Sequence, residues 1–281
     1  MKFTSFLILT TSLFFISCSS DDQVIQTPIS TEGNDIPTIY HPIKIANYWN
    51  YETENIPVEP TGTTVTGADK LLVDSDVVLN TLTYKKMKTE FAPTGFYGGM
   101  LNNNNLRIDG SSLKLTGEIT ANLDASLPLE FDVNDFVIFK ENGVANEVLS
   151  QTSPASFENT TLIVETPLTF TYSIKSTCLG DVAPMLVKGV TYNNVKKTRI
   201  EIELKITTFI SGVEAIILQS QPVIVSNQFY AKNIGVIQAN TVVKYSVDTT
   251  YPFLVQAVTN AGIPPNGEQK INDYLSSCLT N

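Results

Sequence analysis

The chain carries one histidine, three cysteines and 28 acidic side chains, and that inventory limits its chemistry. A nucleophile–base pair needs a histidine beside a serine or cysteine. His41 stands alone within "IYHPIK", which reads as the start of a strand. Zinc sites draw on several histidines or four cysteines, and neither set is present. Carboxylates are more numerous. "DSD" at 74–76, "DVND" at 132–135 and Glu118 supply what a glycoside hydrolase uses, two carboxyl groups about 5–9 Å apart across a cleft. They equally supply what turns and strand edges show to water. The run from Asp132 fails as a calcium loop, because Phe136 stands where an oxygen ligand belongs. There is no Gly-rich phosphate loop and no dinucleotide fingerprint. The expectation is a protein without metal or cofactor that is not an enzyme.

Binding chemistry is better represented. "GFYGG" (95–99) places Phe96 and Tyr97 in a Gly-rich turn, where exposed rings stack on sugar faces. Asn102, Asn103, Asn104 and Asn105 follow, each amide offering donors and an acceptor. These six residues are the candidate ligand-binding set. The competing reading is a hairpin tip whose rings fold onto the sheet edge. Trp49, with Tyr48 and Tyr51, reads as a core anchor.

The elements that must position these residues show a period of two. In "RIEIELKIT" (199–207), Ile200, Ile202, Leu204 and Ile206 share one face, and Arg199, Glu201, Glu203 and Lys205 the other. Strict alternation marks an antiparallel strand with one face on a core and one in water. Segments 112–120, 127–133, 168–174 and 242–248 alternate likewise, and "EAIILQSQPVIV" and "IGVIQ" are further strands. The predicted fold is all-β, with about ten or more strands in a sandwich or half-open barrel. The exception is "NGEQKINDYLSSCLTN". Ile271, Tyr274, Leu275, Cys278 and Leu279 fall at helical spacing, and Asn266 with Gln269 resembles a capping box, so a short C-terminal helix is predicted over 267–279. "NTLTYKKMK" (80–88) and "KGVTYNNVK" (188–196) echo each other, which suggests either two related halves, about 40–125 and 126–265, or convergence on good strand residues.

The first 39 residues read differently. Lys2 precedes an apolar run from Phe6 to Ile16, too short to span a bilayer and of secretory-signal form. The run stops at "FISC", which resembles a bacterial lipobox. That resemblance implies cleavage after residue 17 and a lipid on Cys18. "SSDD" (19–22) is similar to the export signal of Bacteroidota surface lipoproteins, which implies an outer-membrane protein facing the exterior, with the periplasmic leaflet as the alternative. Residues 19–39 contain no lysine or arginine and read as a flexible acidic tether, leaving 40–281 as one β-rich domain. With Cys18 acylated, Cys178 and Cys278 remain in an oxidising compartment. They are expected either to form a disulfide, closing a loop worth roughly 4–5 kcal/mol in the chain-entropy model, or to stay as two buried thiols.

"IANYWNYE", "VKGVTYNNV" and "YAKNIGVIQ" resemble segments of many Bacteroidota lipoproteins that have no assigned activity. The resemblance implies a secreted β-rich domain and supplies no catalytic residues. A formal charge of −10 excludes nucleic acid as a partner. The membrane is expected to be met through the lipid alone. The expected function is a non-enzymatic binding or structural module whose partner is a glycan, a hydrophobic ligand or another outer-membrane protein. The alternatives are a half-barrel carrier of hydrophobic ligands and a carboxylate-dependent glycan hydrolase.

Overall fold

The computed structural model describes residues 40–57, 62–124, 127–159 and 167–281. The lipobox-like stretch, Cys18 and the expected tether lie outside them. Among the described residues no helix is long and apolar enough to cross a membrane.

The N-terminal part supplies β1 (Tyr48–Pro57), β2 (Val65–Leu79), β3 (Leu82–Thr89), helix α1 (Phe96–Leu101), β4 (Asn105–Asp109), β5 (Ser112–Asp124) and β6 (Leu127–Lys140). Then come β7 (Val148–Gln151), β8 (Ala155–Asn159), β9 (Leu168–Val182) and the small hairpin β10 (Met185–Val187) and β11 (Val190–Tyr192). The long strands β12 (Val195–Ile210), β13 (Val213–Ala231) and β14 (Gly235–Ser246) lead to helix α2 (Pro252–Asn260) and β15 (Asn266–Leu279). Thirteen strands form one antiparallel sheet in the order β6-β5-β4-β3-β2-β1-β15-β14-β13-β12-β9-β7, with β8 also on β9. The two echoing segments occupy different settings: 80–88 turns from β2 into β3, and 188–196 runs from the β10–β11 turn into β12.

The alternation that marks the strands also rolls the sheet. Ile200, Ile202 and Leu204 of β12 are fully buried, while Glu201 faces outward and pairs across the ladder with Lys175 at 3.5 Å. Burying one face of so long a sheet requires its ends to come together. Here the Ser176 hydroxyl of β9 donates to the Val137 carbonyl of β6, and the rings of Phe131 and Tyr172 meet edge-on at 4.9 Å. The product is a half-open barrel. Helix α2, with Pro252 in its first turn, lays Leu254 and Val258 over one mouth beside Ile206 and Ile217. Tyr40 and His41 close the opposite mouth against Phe139 and Trp49.

Two expectations are corrected. Residues 267–279 are the strand β15, paired with β1 on one side and β14 on the other. The alternation there was masked because Asp273 occupies an inward, fully buried position between Ile271 and Leu275. Two open strand edges outweigh the helical spacing of five side chains. The short helix near the C-terminus is α2, just upstream. Cys178 and Cys278 are free thiols. Three strands separate β9 from β15, about 19 Å along the ladder, whereas a disulfide needs Cα atoms within about 7 Å. Cys178 is buried beneath Gly143, and Cys278 lies opposite Trp49.

Candidate functional site

A groove of about 910 Å³ opens between α1, the β5–β6 pair and the adjoining ends of β1, β14 and β15. Its walls are rich in amides. Asn102, Asn103 and Asn104 come from the end of α1, Asn122 and Asn134 from β5 and β6, Asn55 from β1 and Gln269 from β15. Hydroxyls of Thr94, Thr116 and Thr120, carboxylates of Glu118 and Asp132, and apolar patches at Phe96, Val243 and Ile271 complete the lining.

The groove exists because α1 is pinned inside the barrel by inward polar residues. Asp69 on β2 accepts hydrogen bonds from the Thr94 amide at 2.7 Å, the Thr94 hydroxyl at 2.8 Å and the Gly95 amide at 2.9 Å. Asp273 takes a longer contact of 3.4 Å from the Tyr97 amide, and its Oδ1 has no partner among the described residues. Burial, with the Asp69 charge adding to it, pushes Asp273 up to about 7 against the backbone amides of Tyr97 and Phe96. The approach is close enough to need glycine: a Cβ at Gly95 would lie 1.7 Å from Asp273 Oδ1, and one at Gly98 would lie 2.4 Å from Asp69 Oδ2. The aromatic side of α1 faces inward, with Tyr97 packed edge-on against Tyr51 at 5.6 Å.

The far wall is tied to α1 through Asn104. Its amide Nδ2 donates to the carbonyls of Met100 at 2.7 Å and Glu118 at 2.6 Å, and its Oδ1 accepts from the Glu118 amide at 2.9 Å. Gly117 makes room for it at φ +141°, because a Cβ there would sit 2.0 Å from that oxygen. Glu118 and Asp132 are cross-strand partners in register and both are exposed, so two carboxylates share one face of the groove. Like charges placed this way cost stability. The other aspartate of "DVND", Asp135, is an ion-pair residue: Arg107 Nε reaches it at 2.8 Å and holds its carboxyl down at about 2.

Of the six ligand-binding residues expected from sequence, the structure brings Phe96, Asn102, Asn103 and Asn104 to the groove. Phe96 and Tyr97 are buried on a helix, so neither is an exposed stacking platform; the stretch 95–99 starts α1 where a hairpin tip was the alternative. Asn105 turns away, donating to the Thr116 carbonyl at 3.3 Å. Asn55, Asn122, Asn134 and Gln269 were not singled out from sequence; they are scattered along the chain and only strand register gathers them. His41 is stacked on Trp49 at 4.7 Å, and burial lowers it to about 3. Among the described residues no three His, Cys, Asp or Glu side chains are placed to hold a metal ion.

No protein-family model matches the chain, and no curated protein matches it significantly. Among solved structures, a candidate lipoprotein from Parabacteroides distasonis aligns over 86% of this chain and 99% of its own, at 8% identity and a TM-score of 0.35. A likeness of that size carries no weight for fold or function.

Proposed function

We propose that this chain is a lipoprotein anchored through Cys18 in the outer membrane, facing the exterior, and that its groove binds a carbohydrate without changing it chemically. The anchor rests on the lipobox and the acidic residues behind it. The binding role rests on one observation, the concentration of seven amide and three hydroxyl side chains around a groove of about 910 Å³. That is the size of a small-molecule site, and polar and apolar groups share its lining about equally. Amides donate and accept side by side, which matches the adjacent hydroxyls of a sugar ring.

The position of the groove fits an outward-facing protein. The chain enters the barrel at Tyr40 and His41, beside Trp49 at the start of β1. Asn55 lies about 20 Å further along that strand. A ligand from the medium would therefore meet the groove at the end of β1 remote from Tyr40 and His41. The carrier reading finds no room at the apolar end under α2, where the chamber offers about 20 Å³, space for about one water and none for an acyl chain. The hydrolase reading draws on the paired carboxylates Glu118 and Asp132, and exposure on both sides argues against it.

The test is calorimetric titration of the purified chain from Ser19 with a panel of oligosaccharides, with the products checked by mass spectrometry. Binding of an intact sugar that weakens at least tenfold in Asn103→Ala is expected. Failure of every sugar to bind, or cleavage that is lost in Glu118→Gln, would overturn the proposal.

A further inference from the structure

The groove does not end at its own walls. A chamber of about 620 Å³, bounded by Pro57, Pro265 and Glu268, shares Asn122, Val243 and Gln269 with it. On the other side a chamber of about 510 Å³, bounded by Tyr172, Phe157 and Glu130, shares Glu118 and Asp132. The three hollows thus share walls: the first chamber continues past Asn122, and the second lies beside β6 at the level of Glu118 to Ala121. Along β5 the shared walls at Asn122 and Glu118 are about 13 Å apart, and the chamber at Pro57 and Pro265 extends past the first. A single sugar ring fills only part of such a path, whereas an extended chain contacts all of it.

The charge along the path has one sign. Glu118, Glu130, Asp132 and Glu268 line it, and among the described residues no lysine or arginine lines any of the three hollows. Glu268 has an outside partner in Lys244 at 2.6 Å, so the excess rests on the three carboxylates of the β5–β6 pair. An anionic ligand would have to approach these groups with no compensating cation.

Resting on the carbohydrate reading above, we infer that the occupant is a linear, uncharged glycan long enough to enter all three hollows, and that uronate-bearing chains are rejected. The central groove supplies amide hydrogen bonds, the flanking hollows supply the length dependence, and the β5–β6 carboxylates supply the charge filter.

The probes are neutral gluco-, manno- and xylo-configured oligosaccharide ladders and oligogalacturonides of matching length, titrated into the chain from Ser19 at low and high salt. Affinity for one neutral ladder is expected to rise at least tenfold from monosaccharide to the longest member. Oligogalacturonides are expected to bind at least tenfold more weakly at low salt, with the gap closing in Glu118→Gln/Asp132→Asn and at high salt. Circular dichroism confirms that the double variant folds, and Glu130→Gln gives a second reading of the filter. Length-independent affinity, or uronides binding as well as neutral chains, overturns the inference and leaves the carbohydrate reading standing. Silence from every ladder removes that reading and the inference with it.

Discussion

Asn104 holds Glu118 by both of its backbone groups, donating to the carbonyl at 2.6 Å and accepting from the amide at 2.9 Å. One side chain thereby does for β5 what a neighbouring strand would do, and it leaves the Glu118 carboxylate on the groove face. Asn104→Ala removes these bonds and the one to Met100, and leaves buried backbone groups unpaired. It is expected to cost about 2–4 kcal/mol in urea denaturation. Asn104→Asp should be no better, since the lost Nδ2 donated two of the three bonds. A loss below about 1 kcal/mol would show that β5 keeps its place without this clamp.

Two buried groups give opposing pH dependences. Asp273 keeps its proton to about pH 7 in the folded protein and loses it near 3.8 when unfolded, so stability falls as pH rises across that window. His41 stays neutral down to about 3 when folded and gains a proton near 6.5 when unfolded, so stability falls as pH drops below 6.5. Each effect is worth up to about 4 kcal/mol, and between about pH 4 and 6.5 they offset each other. Asp273→Asn should therefore gain stability as pH rises from about 5 to 6.5, and His41→Phe should lose it from about 5 to 7. Denaturation profiles of both variants parallel to that of the parent would refute the account.

The glycines of α1 make a matched pair. Gly95→Ala drives a methyl onto Asp273 and should cost at least about 3 kcal/mol. At Gly99 the nearest heavy atom to an added Cβ is Pro93 Cγ at 3.8 Å, so Gly99→Ala should be neutral or stabilise by up to about 1 kcal/mol. Thermal melts that rank the two variants the other way would contradict the packing of α1 against Asp273.

The cysteines are expected to remain reduced. Cys178 is fully buried, and burial raises the Cys278 thiol above its ordinary range, which disfavours the reactive thiolate. Maleimide should label Cys278 slowly and Cys178 only in denaturant. Intact mass under non-reducing conditions should equal that of the reduced chain. A bridged mass would mean that β9 and β15 can meet.

The strands were legible because their information is local: alternation in 199–207 or 168–174 needs no knowledge of a partner. Helix α1 was not, because what makes "GFYGGM" helical is Asp69 and Asp273, which lie 26 and 176 residues away from the atoms they bind. The same Asp273 hid β15, since a buried aspartate breaks the apolar alternation that announces a strand. Within the groove, the asparagine run at 102–104 was visible in sequence. The pairing of Glu118 with Asp132, and the arrival of Asn55 and Gln269, follow from register between distant strands, which residue types do not encode one at a time.

The placement of β15 has a consequence for how the chain is made. The last 14-residue strand sits between β1 and β14, where it joins the first half of the sheet to the second. Trp49 waits for Cys278, so the ladder at the middle of the molecule cannot close until β15 has been made. Until then β1 and β14 each present an open edge, the kind of surface that invites wrong pairing, and contacts so distant in sequence form slowly. A copy cut short before β15 would keep both edges exposed and be left to chaperones and proteases.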